Sequence, residues 1–382
     1  MIPLDSMLPK NPVKMEIKET LRTVFGTLFR LLPLSVEPGL RFFGHPDDKS
    51  PVFVTANFDL TVKRVTKYLK DLDCYLLVAP TRGVNVWCAA KGGNFTAHSL
   101  ISVVKTSGLS SKLVNRTLIL PQLAAPGVDT ELVKKKTGWN CKFGPVYAKD
   151  IPEYAANGFK KTDSMRRVRW PLTDRLDVGI GIFFPIFLAI LAILAIFSRA
   201  WMSEFVILSW GLLFLMYGFY PLIPGKAGWH KILFLEALMV VSLLGYILLD
   251  GNQLNYIRNL FFMAMGLVIL IGIDFDGVTP LYKSAFDPLL DKIGIKKLGP
   301  VDFHERAKIA SSKITINQNQ CTSCGICHDV CPRGVYEMGK DKQVKVMIKY
   351  PELCEVCEAC IMQCPTRAIS LKPGFKSKQG NP

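Results

Sequence analysis

Cys88 is the residue in the first third of the chain whose type and position could do chemistry. Apolar runs at 74–78 and 83–86 favour strands, and helical spacing of apolar residues returns at 95–104. Cys88 therefore lies where a strand gives way to a helix. A helix start favours the thiolate, which is the form of cysteine that binds metal. A lone cysteine after an apolar strand is more often a small buried hydrophobic residue, so position alone leaves both interpretations open.

Eight of the eleven cysteines form two matching runs near the C-terminus. Each run has three cysteines separated by two residues, a fourth cysteine four positions later and then a proline: Cys321, Cys324, Cys327, Cys331, and Cys354, Cys357, Cys360, Cys364. This spacing is typical of ferredoxins with two [4Fe–4S] clusters, in which the fourth cysteine ligates the other cluster. The predicted ligands are Cys321, Cys324, Cys327 and Cys364 for one cluster, and Cys354, Cys357, Cys360 and Cys331 for the other. Zinc is the alternative, but its ligands seldom form two such runs, and the pattern indicates a reducing compartment.

The hexapeptide 85–90, Asn-Val-Trp-Cys-Ala-Ala, resembles the signature of the membrane corrinoid protein of microbial mercury methylation, the HgcA family. Segments 55–61, 118–123, 125–128 and 144–152 also resemble this family, and they resemble the corrinoid iron–sulfur protein of the acetyl-CoA pathway. The resemblance implies a corrinoid whose cobalt takes Cys88 as its lower axial ligand. It also implies transfer of a cobalt-bound methyl group to an electrophile, with Hg(II) as the expected acceptor and methylmercury as the product.

The expected corrinoid contacts follow from the same matching segments. Cys88 is the expected catalytic residue and cobalt ligand, and the other expected contacts are Thr55, Asn57, Thr61, Gly83, Asn85, Val86, Trp87, Ala89, Ala90, Gln122, Leu123 and Gly127. A thiolate below the cobalt would donate electron density and favour methyl transfer as a carbanion. The cofactor does this chemistry, while the protein sets the ligand, the orientation and solvent access.

The C-terminal block resembles the ferredoxin partner of the same system, the HgcB family, so the chain resembles a fusion of two proteins. Fusion would supply low-potential electrons for re-reducing cobalt at high effective concentration.

The sequence departs from the family pattern at two places. Segment 89–93 reads Ala-Ala-Lys-Gly-Gly where the family usually has Ala-Ala-Gly-Lys-Gly, which bears on the cap helix that presents Cys88. Segment 368–382 lacks the cysteine pair of the family's ferredoxin, which bears on Hg(II) as the acceptor.

Composition indicates a membrane protein. The 382 residues carry a formal net charge of +16, and a mean hydropathy of +0.25 is too apolar for an ordinary soluble enzyme. Four candidate membrane helices lie at about 178–197, 205–223, 232–249 and 254–273, whereas the family usually has five. Membrane lipid is the expected partner of the basic residues, and nucleic acid is not. A basic collar precedes the first span: Lys160, Lys161, Arg166, Arg167, Arg169 and Arg175.

An even number of spans places both soluble blocks on the same side of the membrane. The collar, Lys226 and Lys231 indicate a cytoplasmic side, and Lys283, Lys292, Lys296 and Lys297 return the chain to it. The outer loops carry a weaker bias, with Arg199, Glu204, Asp250 and Arg258. We therefore expect a multi-pass protein of the cytoplasmic membrane with both soluble domains facing the cytoplasm. Prolines and charges at 1–19 argue against a signal peptide there.

The predicted fold class is multidomain: an α/β Rossmann-like corrinoid-binding domain, an α-helical transmembrane bundle and an α+β bacterial-type 2[4Fe–4S] ferredoxin domain. The predicted boundaries are 1–50 for an N-terminal segment, 51–170, 171–276, 277–312 for a linker and 313–382. A helix at 17–32 either lies on the membrane surface or packs against the corrinoid domain. Glu236 is an ionisable residue within a span, expected to have a structural role, with function as the alternative.

Three further residues have no motif to place them in a site. Cys74 and Cys141 are expected in the core, and His328 is expected on an exposed loop, although it follows a ligand cysteine and could tune a cluster.

The predicted function is a membrane-anchored corrinoid iron–sulfur methyltransferase. Its expected partners are a methyl-donor protein or a methylated folate or pterin, an electrophilic acceptor and a low-potential electron donor. The alternatives are a corrinoid methyl carrier for another metalloid or a carbon-fixation partner, and a membrane electron-transfer subunit without corrinoid.

Overall fold

The computed structural model describes residues 12–224, 228–249, 254–272, 297–298, 301–302, 314–339, 345–354 and 356–371. Most of the predicted linker 277–312 lies outside these ranges, as do residues 1–11 and the predicted topology markers Lys226, Asp250, Lys283, Lys292 and Lys296. The chain divides into two compact units. One comprises Met1–Leu32 and Trp170–Tyr282, and the other comprises Pro33–Arg169 and Lys283–Pro382.

Helices and strands are numbered here in chain order. The described helices are α1 (Pro12–Leu28), α2 (Asp59–Leu69), α3 (Val86–Lys91), α4 (Ala97–Thr106), α5 (Leu109–Lys112), α6 (Thr130–Thr137), α7 (Ile151–Ala156), α8 (Asp163–Arg166), α9 (Leu172–Phe197), α10 (Met202–Gly218), α11 (Gly228–Leu249), α12 (Leu254–Gly272), α13 (Ile326–Val330) and α14 (Ala359–Met362). The described strands are β1 (Gly39–Phe43), β2 (Val52–Ala56), β3 (Cys74–Ala79), β4 (Thr117–Leu120), β5 (Asn140–Phe143), β6 (Lys297–Leu298), β7 (Val301–Asp302), β8 (Ile314–Ile316), β9 (Tyr336–Met338), β10 (Val346–Ile348) and β11 (Ile369–Leu371).

The α/β domain is built on a five-stranded sheet in the order β1-β3-β2-β4-β5. The pairs β2–β3, β2–β4 and β4–β5 are parallel, and β1 pairs antiparallel with β3 at one edge. All five residues of the central strand β2 are buried, as expected for a parallel strand covered on both faces. Because β1 belongs to this sheet, the α/β domain begins upstream of the predicted boundary at residue 51. The edge strand was missed because its pairing is antiparallel and its side chains are only partly buried.

The sheet opens at the carboxyl ends of two central strands. Strand β2 pairs with β3 along its whole length, from Val52 to Ala56, but with β4 only at Val52 and Phe53. The order of connection also reverses here, since the chain runs from β2 to β3 on one side and then crosses to β4 on the other. Ligands of open α/β sheets bind at such a switch point, outside the carboxyl ends of the strands. The topology therefore places a binding crevice beyond β2 and β4.

Among its described residues, the unit that contains Trp170–Tyr282 holds four helices long and apolar enough, by length and composition, to cross a membrane. They span Leu172–Phe197, Arg199–Gly218, His230–Leu249 and Leu254–Gly272, which matches the four predicted spans to within a few residues. Helix α1 contacts α9. Phe29 meets Phe184 edge-on at 5.6 Å between ring centroids, and Arg30 forms an ion pair with Asp177. The two predicted positions of this helix, on the membrane surface or against the corrinoid domain, did not include a contact with α9.

Two polar residues of the spans have defined surroundings. Lys231 is 6% exposed and donates to the carbonyl oxygens of Tyr220 at 3.1 Å and Ile223 at 2.5 Å. It therefore stabilises the turn before α11 rather than extending as a loop charge. Both carboxylate oxygens of Glu236 are buried and make no hydrogen bond among the described residues.

The described part of the ferredoxin domain contains two short antiparallel ribbons and two short α-helices. Strand β8 pairs with β11, and β9 pairs with β10. Helices α13 and α14 contact each other, and each contains the third cysteine of its run and ends before the fourth. Val330 and Ala359 are buried in the same hydrophobic core as β2, β4 and α3 of the α/β domain. The two domains therefore share one core within their unit.

Substitution of Gly127 tests how closely α3 must pack on the sheet. A Cβ atom at this position would lie 2.4 Å from the carbonyl oxygen of Phe95 and 2.8 Å from Cα of Ala90 at the end of α3. We expect Gly127→Ala to lower the free energy of unfolding by about 3 kcal/mol, because backbone atoms must move. The midpoint of thermal unfolding of the purified chain measures this loss.

Gly108→Ala is the control for an added methyl group that meets no neighbour: unlike Gly127, Gly108 has a left-handed φ of +67°, and a Cβ there meets nothing within 4 Å. Its expected loss is about 1 kcal/mol, from backbone conformation alone. Equal losses for the two variants would show that α3 does not need this close approach.

Candidate functional site

Helix α3 presents Cys88 at the carboxyl edge of the sheet. The side chain of Asn85 caps the helix, because its Oδ1 accepts a hydrogen bond from the backbone N–H of Cys88 at 2.9 Å. Cys88 is partly buried and packs against the core that contains Ala89 and Ala90. The helix contacts the turn Gln122–Ala124, which follows β4, and it also contacts β7. Cys88 thus lies beside the crevice between β2 and β4, on the helix that sequence reasoning expected.

Asn57 fixes the turn that leads into α3. Its Oδ1 accepts hydrogen bonds from the backbone N–H groups of Thr81 at 2.9 Å and Gly83 at 3.0 Å, and its Nδ2 donates to the carbonyl oxygen of Val36 at 3.1 Å. The hydrogen bonds from Thr81 and Gly83 are buried, whereas the bond to Val36 is partly buried. Asn57 therefore acts on the predicted site by shaping the 81–84 turn.

Gly83 requires a glycine for two reasons. Its φ is +70°, and a Cβ atom would lie 2.4 Å from the carbonyl oxygen of Pro33. The backbone of segment 33–35 thus packs directly on the turn. Like Asn57, Gly83 sets the position of α3 instead of offering a side chain to a ligand.

The remaining predicted contacts differ in what they can offer. Thr55 lies where β2 has separated from β4, and its buried hydroxyl has no hydrogen-bond partner among the described residues. Gln122 is buried with its amide occupied: Nε2 donates to the carbonyl oxygen of Arg166 at 2.7 Å, and Oε1 accepts from Lys161 at 3.0 Å. Thr61 is partly buried on α2, and Leu123 packs beside the core near α3.

Two cations of the basic collar hold the ferredoxin domain. Lys161 pairs with Asp329 at 2.9 Å and donates to the carbonyl oxygen of Asp329 at 3.2 Å. Arg166 donates to the carbonyl oxygen of His328 at 2.6 Å and pairs with Asp163 at 2.5 Å. Both side chains are only 4% exposed. Burial lowers the pKa of Lys161, and the charge of Asp329 opposes that shift. These two charges are therefore engaged by the C-terminal end of α13, where cations are favourable.

Other contacts join the same two domains. Gln363 donates through Nε2 to the carbonyl oxygens of Ala125 at 2.9 Å and Val128 at 2.7 Å, and its Oε1 accepts from Thr130 at 2.9 Å. The backbone N–H of Val168 donates to the carbonyl oxygen of Pro332 at 2.9 Å. The ferredoxin domain is thus held through α13, through Pro332 and through Gln363, the residue before Cys364.

The first cysteine group is Cys321, Cys324, Cys327 and Cys364. All four residues line one cavity, together with Ile316, Val346 and Ile369. Burial raises the pKa of Cys327 to about 12, and the charges of the other three cysteines add to the shift. Cys324 is exposed and Cys327 is buried. The cross-repeat grouping expected from the sequence is therefore the one in which these thiols are brought together.

The second cysteine group is Cys331, Cys354, Cys357 and Cys360. Burial raises the pKa of Cys360 well above its usual value, and the charges of Cys357, Cys331 and Cys354 act in the same direction. The buried hydroxyl of Tyr336 lies beside Cys360, and its pKa is raised by burial first and then by the charge of Cys360 and a hydrogen bond with it. Among the described residues, no His, Cys, Asp and Glu side chains form a group of three that could hold a single metal ion.

The two cysteine runs repeat each other in backbone conformation as well as in sequence. Positive φ angles recur at equivalent positions: Ser323 and Val356, Gly325 and Glu358, Gly334 and Arg367. The fourth cysteine of each run also accepts a hydrogen bond from the backbone N–H four residues later, at 3.4 Å for Cys331 and 3.3 Å for Cys364. Non-glycine residues rarely adopt such angles except at functional sites.

Sequence reasoning missed the residues that join the domains. It assigned Lys161 and Arg166 to lipid or membrane topology, because a basic run before an apolar helix is the usual signal for both. It gave no role to Gln363 or Tyr336, which carry no motif. His328 lies against Arg166, with 3.1 Å between its Nε2 and the guanidinium. Burial and that guanidinium lower the pKa of His328, which therefore lies in the domain interface.

Asn57→Ala tests the turn that carries α3. The substitution leaves the buried N–H groups of Thr81 and Gly83 without an acceptor, and each such loss costs about 1–3 kcal/mol. We expect a lower midpoint of thermal unfolding. Asn115→Ala is the control, because Asn115 makes a similar bond to the N–H of Thr117 near the surface and its loss should cost under about 1 kcal/mol. A smaller effect at position 57 than at 115 would contradict the assigned role.

Cys74 and Cys141 are expected to resist alkylation in the folded protein. Burial raises the pKa of each thiol to about 12, so at pH 9 only about one in a thousand is a thiolate. Labelling with iodoacetamide between about pH 7 and pH 9, read by mass spectrometry, should modify neither residue until denaturant is added. Modification of Cys74 at the rate of the unfolded chain would contradict its placement in the core.

Comparison with known proteins agrees with the division of the chain. Residues 19–155 match the family model of the CO dehydrogenase/acetyl-CoA synthase delta subunit, and residues 320–368 match that of the 4Fe-4S dicluster domain. The gamma subunit of the acetyl-CoA decarbonylase/synthase complex of Methanopyrus kandleri is 39% identical over 124 residues, which are 32% of this chain and 26% of that protein. The same subunit of Methanocaldococcus jannaschii is 36% identical over 131 residues, covering 34% and 26% of the two chains.

A third relative is the corrinoid/iron-sulfur protein large subunit of Moorella thermoacetica, 32% identical over 126 residues, which are 32% of this chain and 28% of that protein. The chain therefore spans about a quarter of the length of these relatives, and the shared part is the α/β domain. These matches and the described fold confirm the predicted fold class. The protein is multidomain, with an N-terminal α/β corrinoid-binding domain, four candidate membrane-spanning helices and a C-terminal 4Fe–4S ferredoxin domain.

Proposed function

We propose that this protein is a membrane-anchored corrinoid methyltransferase in which the Cys88 thiolate would hold the corrinoid through its cobalt and the ferredoxin domain would supply the electrons that keep it reducible. The observation that carries the proposal is the position of Cys88. It lies on α3 beside the crevice at the carboxyl edge of the sheet, in the same core that receives Val330 and Ala359 of the ferredoxin domain. A methyl-transfer site and an electron source thus belong to one compact unit.

The residues around Cys88 fit a corrinoid. The partly buried thiol supplies a ligand, and the unpartnered hydroxyl of Thr55 lies in the part of β2 that has separated from β4. When bound, a corrinoid supplies a cobalt that carries a methyl group from a donor to an acceptor. The chain's own residues orient that chemistry: Asn85 caps α3 at Cys88, Asn57 holds the preceding turn, and Gly127 lets α3 lie against the sheet.

The two cysteine groups fit [4Fe–4S] clusters. Four thiols line a single cavity in the first group, and in the second group the buried Tyr336 hydroxyl lies beside Cys360, where a sulfur atom can accept its hydrogen bond. We assign Cys321, Cys324, Cys327 and Cys364 to one cluster, and Cys331, Cys354, Cys357 and Cys360 to the other. When bound, such clusters relay single electrons at low potential. The backbone N–H groups of Val335 and Ala368, which donate to Cys331 and Cys364, would tune them.

We propose Hg(II) as the electrophilic acceptor, on the strength of the sequence around Cys88. A corrinoid held by the Cys88 thiolate would supply a methyl group to such an electrophile, and methylmercury would be the product. A second candidate is a carbon-fixation partner, because the relatives from Methanopyrus kandleri and Methanocaldococcus jannaschii are subunits of an acetyl-CoA decarbonylase/synthase complex. The methyl donor would be a protein or a methylated folate or pterin, and a low-potential electron donor would supply the ferredoxin domain.

The four apolar helices anchor this activity to a membrane. An even number of crossings would return the chain to the side on which it entered, so we propose that both soluble domains face the cytoplasm. Membrane lipid is then the partner of the four helices. Labelling of introduced cysteines from either side of sealed vesicles would test this arrangement independently of catalysis.

Cys88→Ala tests the proposed site. In anaerobically reconstituted protein, the substitution should remove sulfur ligation from the corrinoid spectrum and lower methyl transfer at least about a hundredfold, while iron and sulfide content stay unchanged. Cys74→Ala is the matched control, because Cys74 is fully buried in the other face of the sheet core. Absence of corrinoid binding by the wild-type protein would favour the electron-transfer subunit without corrinoid.

The acceptor is tested with the same preparation. Protein supplied with methyl donor and reductant is offered Hg(II), or an acetyl-CoA-synthesising partner, in parallel. Methylmercury formation that depends on Cys88 supports Hg(II). Transfer only to the carbon-fixation partner would support the second candidate and overturn the first.

A further inference from the structure

Lys91 ends the helix that carries Cys88, at a position where the resembled family usually has glycine. Its Nζ lies 3.4 Å from the carbonyl oxygen of Val356. Val356 lies in the loop between Cys354 and Cys357, so a side chain of α3 reaches directly to the second cysteine group. The two residues are 265 positions apart in sequence.

The surroundings of Cys357 show that the ammonium and the thiols are close. Cys357 packs against the hydrophobic core that includes Ala89 and Ala90 of α3. Cys357 directly follows Val356, whose carbonyl oxygen accepts the hydrogen bond from the ammonium of Lys91. The first group differs, since Cys324 is exposed.

The loop that Lys91 contacts is strained. Val356 has a φ of +47°, and for a β-branched residue such an angle persists only where the surroundings hold it, at a cost of about 1–3 kcal/mol. Gln363 holds the end of α14 on the α/β domain through Ala125 and Val128. Lys91 supplies a contact at the loop itself.

We propose that Lys91 is a positioning residue that holds the second cysteine group against the Cys88 helix and makes a cluster bound there easier to reduce. The inference rests on the proposed function, because it requires a cluster in that group. Each reduction adds one electron and therefore one negative charge, which a nearby ammonium stabilises. The second group then faces the corrinoid site, and the first group, with Cys324 exposed, receives electrons from an external low-potential donor.

The test is a redox titration of the purified full chain with both clusters assembled, using dithionite as the electron donor and electron paramagnetic resonance as the readout. Lys91→Met should make one of the two clusters about threefold to tenfold harder to reduce, and tenfold corresponds to 59 mV for one electron. Lys91→Arg keeps the charge, so the reduction potential of that cluster should stay close to its value in the wild-type protein. Lys135→Met removes an exposed charge from α6 of the same domain and should leave both clusters unchanged.

A second comparison assigns the effect to one group. In a Cys357→Ala background, where the second group loses a ligand, Lys91→Met should leave the remaining signal unchanged. The proposal would be overturned if Lys91→Met shifted the reduction potentials of both clusters equally or shifted neither. It would also be overturned if Lys91→Arg, which keeps the charge, shifted the potential as much as Lys91→Met. These outcomes are independent of corrinoid binding, so a protein that binds no corrinoid but shows the predicted shift would contradict the proposed function and not the role of Lys91.

Discussion

The contact of two buried cations with the end of α13 fixes the relation between the two candidate sites. Lys161 and Arg166 are almost fully buried, and their partners Asp329 and His328 belong to the ferredoxin domain. Burying a cation is unfavourable unless its charge and hydrogen bonds are satisfied, and removing one partner of such a pair typically costs about 3–5 kcal/mol. The interface is therefore specific: a shifted ferredoxin domain would leave the buried ammonium of Lys161 without its carboxylate partner and would remove the hydrogen bond from Arg166 to the carbonyl oxygen of His328.

This constraint gives the fusion a structural meaning. A flexible tether would raise the local concentration of one domain near the other, whereas a shared core holds the two in one arrangement. Val330 and Ala359 enter the core of the α/β domain, and Gln363 satisfies the carbonyl oxygens of Ala125 and Val128 in the loop next to Gly127. That loop in turn supports α3. The residues that dock the ferredoxin domain and those that position Cys88 thus belong to one network of contacts.

The sequence predicted the elements better than their contacts. Alternating strands and helices, the four apolar spans and the repeated cysteine spacing depend on local patterns, and most of these elements lie near their predicted places. The strand predicted at 83–86 was wrong, because these residues form a turn capped by Asn85 and Val86 begins α3. The antiparallel edge strand β1 was missed because short, half-buried strands lack a distinctive pattern. Asn57 was predicted as a ligand contact from the resemblance of segment 55–61 to the family, but its amide is occupied by the 81–84 turn. The docking roles of Lys161, Arg166 and Lys91 depend on residues more than 160 positions away, which no local pattern encodes.

A corrinoid bound at Cys88 and a cluster bound by the second cysteine group would be neighbours in one compact unit. This arrangement is tested by the magnetic interaction between the cobalt(II) spin and the reduced cluster in the reconstituted full chain, observed by electron paramagnetic resonance at low temperature. We expect an interaction in the wild-type protein that disappears with Cys88→Ala or Cys357→Ala and persists with Cys324→Ala. Independent, non-interacting signals in a wild-type protein that holds both cofactors would contradict the proposed arrangement.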